Sequence, residues 1–277
     1  MANTFLLLLG LTLGLASAAK APVAKFADKE MVCPVCGNTF YARLDMSEGQ
    51  SDMRLDLKPV GLVSWPWLLP DCPRCGFVVY KLSLPAAELA KCRQIVASEE
   101  YKPGLGHSSY YRVGLLFSRL GKGDYSTATS FLKASWQEEA YPARLKEDQE
   151  LSLKNFTACS QSCSGDEKEN SLLLMGELLR RLGRFEEAKA HLAKLQGLKG
   201  FQKNFFADIV EYQLRQCARK DSSPHEMEDV RDFKMSIPEW LKNRVRKLYR
   251  SVLEAGDEAA EDSPISRNAS QPGAETR

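Results

Sequence analysis

The pentapeptide Cys33-Pro34-Val35-Cys36-Gly37 recurs as Cys72-Pro73-Arg74-Cys75-Gly76, and no other feature restricts the fold of this chain as tightly. Two thiolates separated by two residues can grip one metal ion, and two such pairs complete a tetrahedral four-sulfur site. Proline after the first Cys stiffens the turn, and glycine after the second allows the positive φ that lets nearby amides point at sulfur. β-prone residues follow both times, Thr39-Phe40-Tyr41 and Phe77-Val78-Val79-Tyr80, so each knuckle is expected to lead into a strand. Cys33, Cys36, Cys72 and Cys75 are the expected ligands of one structural zinc ion.

This is the plan of a zinc ribbon, with one departure. The 35 residues from 37 to 71 that separate the pairs exceed the usual spacing of roughly 15–20, so an inserted hairpin or loop must bring the knuckles together. Within that insert the alternation at Met53, Leu55 and Leu57 predicts a short strand, with Arg54 and Asp56 on one face, solvated or paired. Trp65 and Trp67 read as cover for a small metal-stapled core, or as an aromatic contact for a partner. Two other readings of the cysteines stay open, disulfides and a redox dithiol. A redox C-x-x-C belongs between the strand and helix of a βαβ unit, which this neighbourhood lacks. A chain of 277 residues can also bury a core without covalent staples.

The apolar run Leu6 to Leu15, followed by Ala16-Ser17-Ala18, reads as a signal peptide over 1–18 cleaved after Ala18 or Ala19, although no Lys or Arg precedes it. A buried N-terminal strand or helix is the alternative. No Cys follows the run, which argues against a lipoprotein anchor, and no later segment approaches the length of a membrane span. The expected location is periplasmic or extracellular, or cytoplasmic if the leader does not function. Export would place eight cysteines in an oxidising compartment, where disulfides form, and would require zinc to be acquired there or folding to precede export.

From Ser83 the pattern turns helical. Ser83-Leu84-Pro85 is a start signal, and Leu84, Leu89, Cys92, Ile95 and Val96 form a stripe ended by Tyr101 to Gly106. In the stretch from Gly176 to Ala188, Gly176, Gly183, Phe185 and Ala188 occupy the small-residue, turn and aromatic positions of a tetratricopeptide (TPR) unit, with Leu172 and Met175 ahead and Leu192 and Leu195 behind. Ser109 to Trp136 resembles a degenerate copy through Tyr110, Val113, Gly114, Phe117, Gly121, Phe131 and Leu132. The two glycines, Gly114 and Gly176, stand 62 residues apart rather than about 34, and a helix near Glu147–Cys163 fills the interval. Helices near 200–220 and 238–254 would cap the array, the latter burying Leu241, Val245, Leu248 and Val252 beside Trp240. The tail from Gly256 is small, polar and acidic, and is expected to be disordered.

The expected fold is therefore mainly α: a small N-terminal β zinc ribbon (19–82) followed by an irregular TPR-like antiparallel helical-hairpin array (83–255), with a leader (1–18) and a tail (256–277). The paired C-P-x-C-G knuckles, the run Arg54-Leu55-Asp56-Leu57-Lys58-Pro59-Val60-Gly61 between them and the hairpins afterwards resemble an uncharacterised bacterial family of unknown function, over residues 30 to 220. The resemblance implies a zinc-ribbon head on a helical-repeat body and no established activity.

Other chemistry is sparse. Cys159 and Cys163 lie four apart, where a bridge within one helix is strained, so bonds from Cys92, Cys159, Cys163 and Cys217 to neighbouring helices, or buried free thiols, are expected. His107, His191 and His225 lack metal-binding spacing. The pairs Glu138-Glu139 and Glu186-Glu187 read as solvated helix faces. No H-E-x-x-H, G-x-S-x-G or phosphate-cradling glycine loop is present, so no enzyme is expected. A net charge of +2 with mixed signs offers no phosphate track. The expected role is an adaptor: the groove of the hairpins binds a protein or peptide, with no nucleic acid and no membrane anchor. The alternative is an exported thiol-redox or metal-handling protein using the C-P-x-C pairs.

Overall fold

A computed structural model describes residues 26–45, 51–61, 68–202 and 204–235, together with Leu241 and Arg244. The expected leader, Trp65 and Trp67, the helix at 238–254 apart from those two residues, and the tail lie outside the described residues. The fold is mainly helical with a small β part at the front.

Strands β1 (Phe26–Val32) and β2 (Thr39–Asp45) pair antiparallel, with Val32 opposite Thr39, so the first knuckle is the turn between them. Phe40 and Ala42 alternate inward along β2 while Tyr41 faces solvent, the period of a half-buried strand. The second knuckle does not lead into a full strand. Val78 forms only an isolated bridge to Asp71.

The insert carries its own hairpin, β3 (Asp52–Met53) against β4 (Pro59–Val60). Leu55 and Leu57 lie in the connection rather than in a strand: Arg54 N–H donates to Lys58 O at 2.8 Å and Leu57 N–H to Arg54 O at 2.9 Å. Leu57 adopts φ 64°, a left-handed conformation costing on the order of 1 kcal/mol for a residue with a side chain. Burying Leu55, 1% exposed in the helical core, returns about 1.5–3 kcal/mol.

Eight α-helices follow among the described residues: α1 (Ala86–Ala97), α2 (Ser109–Leu120), α3 (Asp124–Gln137), α4 (Pro142–Ser162), α5 (Gly165–Arg181), α6 (Phe185–Gln196), α7 (Asn204–Ala218) and α8 (Met227–Lys234). A 3-10 turn, Lys102–Gly106, separates α1 from α2. From α2 to α7 each helix packs on the next, as short connections dictate. Two glycines permit the closest crossings. A Cβ on Gly114 would meet the Phe131 ring at 2.7 Å, and one on Gly176 would meet Leu192 Cδ2 at 2.5 Å. The long α4 stands between these two hairpins and makes the array irregular. Helix α8, not anticipated from the sequence, buries Met227 and Val230 with Phe233 packed against the same core, and it opens on the capping box of Glu226 and Asp229.

Two apolar clusters result. The larger joins α3 to α8 and takes in Leu55. The smaller groups Met31, Phe40, Phe77 and Val79 with Cys33 and Cys72, and continues into Cys92, Val96, Tyr101 and Leu116. The head is thus packed on α1 and α2.

Candidate metal centre

Each knuckle is a tight turn with the same hydrogen bonds. Gly37 N–H donates to Cys33 O at 2.9 Å and Gly76 N–H to Cys72 O at 2.8 Å; Cys33 N–H donates to Asn38 O and Cys72 N–H to Phe77 O, both at 2.9 Å. Gly37 and Gly76 take φ of 71° and 72°, the left-handed geometry that the motif's glycine was expected to supply.

The two turns face each other. Cys33 Sγ lies 3.7 Å from Cys75 Sγ, Cys36 Sγ lies 3.6 Å from Cys72 Sγ, and all four sulfurs lie within 4.8 Å of one another. A zinc–sulfur bond of about 2.3 Å sets the edge of a regular sulfur tetrahedron at about 3.8 Å. The observed spacing fits one such ion and exceeds any disulfide bond, so the four residues could hold one zinc ion. Cys33 and Cys72 are buried, and Cys36 and Cys75 are half-buried.

The electrostatics of the thiols differ from one to the next. Burial pushes the Cys33 and Cys75 thiols up. For Cys36, burial raises, but the Asn38 backbone N–H and the neighbouring sulfurs outweigh it and bring the thiol down to about 7. Four thiolates cannot share so small a volume without a cation, and a bound divalent ion would keep them deprotonated.

Residues outside the knuckles hold the turns in place, and the sequence did not disclose them. Arg93 Nε donates to Val35 O at 3.0 Å, fixing the first knuckle to α1. Tyr101 Oη donates to Gly76 O at 3.0 Å, and Arg112 Nη1 reaches the same carbonyl at 3.2 Å while also bonding Asp71 Oδ2 at 3.2 Å. Tyr80 Oη donates to Glu88 at 2.8 Å and touches Cys92 Sγ at 3.7 Å. The only trace of these partners in the sequence is polar residues set within an apolar stripe.

The insert hairpin reaches the helical body instead. Leu55 N–H donates to His225 O at 2.9 Å, and Asp52 Oδ2 accepts from Glu228 N–H at 3.0 Å. Arg54 pairs with Asp56 and Glu139, Lys58 pairs with Glu139, and Arg181 lies 3.9 Å from Asp56. Arg54 and Asp56 are therefore paired and buried, with Asp56 2% exposed. Glu138 and Glu139 are not a solvated face: Glu138 is buried and accepts from Ser108 N–H at 2.7 Å. Glu186 and Glu187 are exposed and pair three residues away with Lys189 and Arg184.

The remaining cysteines require a correction. Cys159 and Cys163 form a disulfide with a Cα–Cα distance of 4.9 Å. The expectation of bonds to neighbouring helices assumed both lay within one helix, but Cys163 is the first residue past α4, with extended backbone at ψ 169°. Cys92 and Cys217 are buried free thiols. His107 stacks on Tyr111, His191 bonds Leu172 O at 2.7 Å, and His225 sits between Tyr212 and Asp221. Among the described residues none of the three joins a metal-capable group, and no helix is long and apolar enough to cross a membrane.

Neither a family model, nor a curated protein, nor a solved structure matches this chain, so the likeness carried by its knuckles and hairpins assigns it to no identified family.

Proposed function

We propose that this chain is a non-enzymatic binding protein in which one structural zinc ion, held by Cys33, Cys36, Cys72 and Cys75, fixes a ribbon head onto TPR-like hairpins. The assembled surface then serves as an adaptor for a protein or peptide. The observation carrying the reading is the face-to-face sulfur pairs at 3.6 and 3.7 Å, set in a shared core with α1 and α2 rather than in an open cleft between strand and helix. Helical hairpins present side chains on rigid elements, which suits recognition without chemistry. The apolar run Leu6 to Leu15 followed by Ala16-Ser17-Ala18 supports export, and an intact mass beginning at Ala19 or Lys20 would establish it.

A second reading, thiol-redox or metal-handling, uses the same C-P-x-C pairs directly, and is favoured by the partial exposure of Cys36 and Cys75. Metal analysis with thiol counting on protein isolated from its native compartment separates the two. One zinc per chain with four thiols protected until chelation supports the adaptor. A metal-free, reducible C-P-x-C pair supports redox chemistry.

A further inference from the structure

The crevice where the ends of α3 and α5 meet the α7–α8 connection is filled by the chain's own hairpin, with Leu55 in the core and Asp56 beside Arg181. A ligand cannot enter there without expelling buried charge. Another concavity lies open beside the metal centre. Its volume is about 650 Å³, within the roughly 300–1,000 Å³ range of ligand sites. The second knuckle, α1, the 3-10 turn and α2 form its walls.

Its chemistry is two-sided. Val35, Val96, Ala97 and Leu105 supply apolar surface, and Leu105 is 48% exposed. Arg74, Arg93 and Lys102 stand exposed at the rim. Arg112 lies deeper, paired with Asp71, and its Nε has no hydrogen-bond partner among the described residues. Among the described residues Asp71 is the only carboxylate in the lining. A divalent ion with four thiolates carries a charge of about −2, so part of this positive charge balances the centre. The balance is uneven in space. Cys33 and Cys72 are buried, whereas the rim cations face solvent; Arg93 also holds Val35 O, and the ion pair of Lys102 with Glu99 is an exposed contact of the kind that exchanges partners at little cost.

We propose that this cleft binds an acidic segment of a partner protein, an extended peptide with an apolar side chain seated over Val96 and Leu105 and carboxylates directed to Arg74, Arg93 and Lys102. Charge complementarity selects the partner and speeds encounter, and the apolar seat fixes its register. A nucleic acid fits less well, because it needs a longer track of cations and gains nothing from Leu105. The proposal rests on the binding-protein reading and specifies where and what that protein binds.

The test is selection from a random dodecapeptide display library against the zinc-loaded full chain. The peptides enriched are then measured against Arg74→Glu/Lys102→Glu and, separately, Leu105→Asp. All three side chains are exposed, so zinc content reports whether the fold survives. The expected result is enrichment of acidic peptides carrying an aliphatic or aromatic residue. Affinity should fall at least about tenfold in the charge reversal, fall in Leu105→Asp, and weaken as salt rises, with one zinc retained throughout. Enriched peptides that bind both variants unchanged would overturn the cleft and leave the adaptor reading standing. No enrichment at all would overturn both. A labelled single-stranded oligonucleotide bound more tightly than any peptide, and lost in the charge reversal, would reassign the cleft to phosphate.

Discussion

The knuckle core and the helical core are held by different means. Among the described residues the helical cluster contains twenty buried side chains, and the knuckle cluster contains eleven, three of them cysteines. A core of the second size cannot offset the entropy of ordering its chain without a cross-link; the first can. The boundary between them does not follow the order of residues. Leu55 lies between the two knuckles yet belongs to the helical cluster. Cys92 and Leu116 lie in helices yet belong to the knuckle cluster. Dependence on metal should therefore divide the molecule by core, not by position along the chain.

The strongest attempt to break that division is to remove the ion, with a chelator or through Cys36→Ser with Cys75→Ser. Structural zinc contributes an apparent 10–16 kcal/mol, roughly, in small metal-held units. Hydrogen exchange should show β1, β2 and α1 losing protection while α4 to α7 keep theirs. Uniform loss across both cores would mean that they form one cooperative unit. Next in size is Asp56→Asn, which leaves Arg54 with Glu139 alone and takes from Arg181 its nearest carboxylate. A cost of about 3–5 kcal/mol is expected, read by urea unfolding, with the zinc content still one per chain. Leu55→Ala should cost about 2–5 kcal/mol by the cavity it leaves, again without loss of zinc. Release of the ion in either variant would place the hairpin in the knuckle core after all.

The last test is a change in pH dependence within the helical core. Asp148 is buried, and neither carboxylate oxygen has a hydrogen-bond partner among the described residues. Burial, then Glu138 and Glu147, push it up to about 8 against the pull of Arg144. The unfolded chain gives up this proton near pH 4, roughly, so the folded state holds it over the interval between. Its contribution is full below about pH 4 and is lost as pH rises toward 8. Asp148→Asn should flatten that decline, seen as a Tm nearly constant from pH 5 to 8 relative to the parent. An unchanged slope would assign the decline to other groups.

The sequence disclosed what depends on local spacing. The knuckle turns, the Gly114 and Gly176 crossings and the helices around them follow from patterns a few residues long. It hid what depends on distant partners. Arg54 and Lys58 meet Glu139, 85 and 81 positions away, and Asp52 meets the start of α8, 176 away; periodicity carries no trace of such contacts. The strand expected at Leu55 and Leu57 failed for a related reason, since alternation is the same in a strand and in a hairpin tip whose apolar side chain is drawn into a distant core. The Cys159–Cys163 bond was missed because the end of α4 falls one residue before Cys163, and helix boundaries are the least legible part of any pattern.

The hairpin tip also orders events in time. Helices that contact their sequence neighbours assemble quickly, whereas the knuckles are separated by 35 residues. Once Arg54 to Lys58 docks, that span is fastened near its middle and becomes two shorter loops. Because closure entropy grows only with the logarithm of length, the equilibrium gain is modest, on the order of 1 kcal/mol. The helices, formed from local contacts, would act as a jig that presents both cysteine pairs together, and capture of an ion by them would be the closing step of assembly.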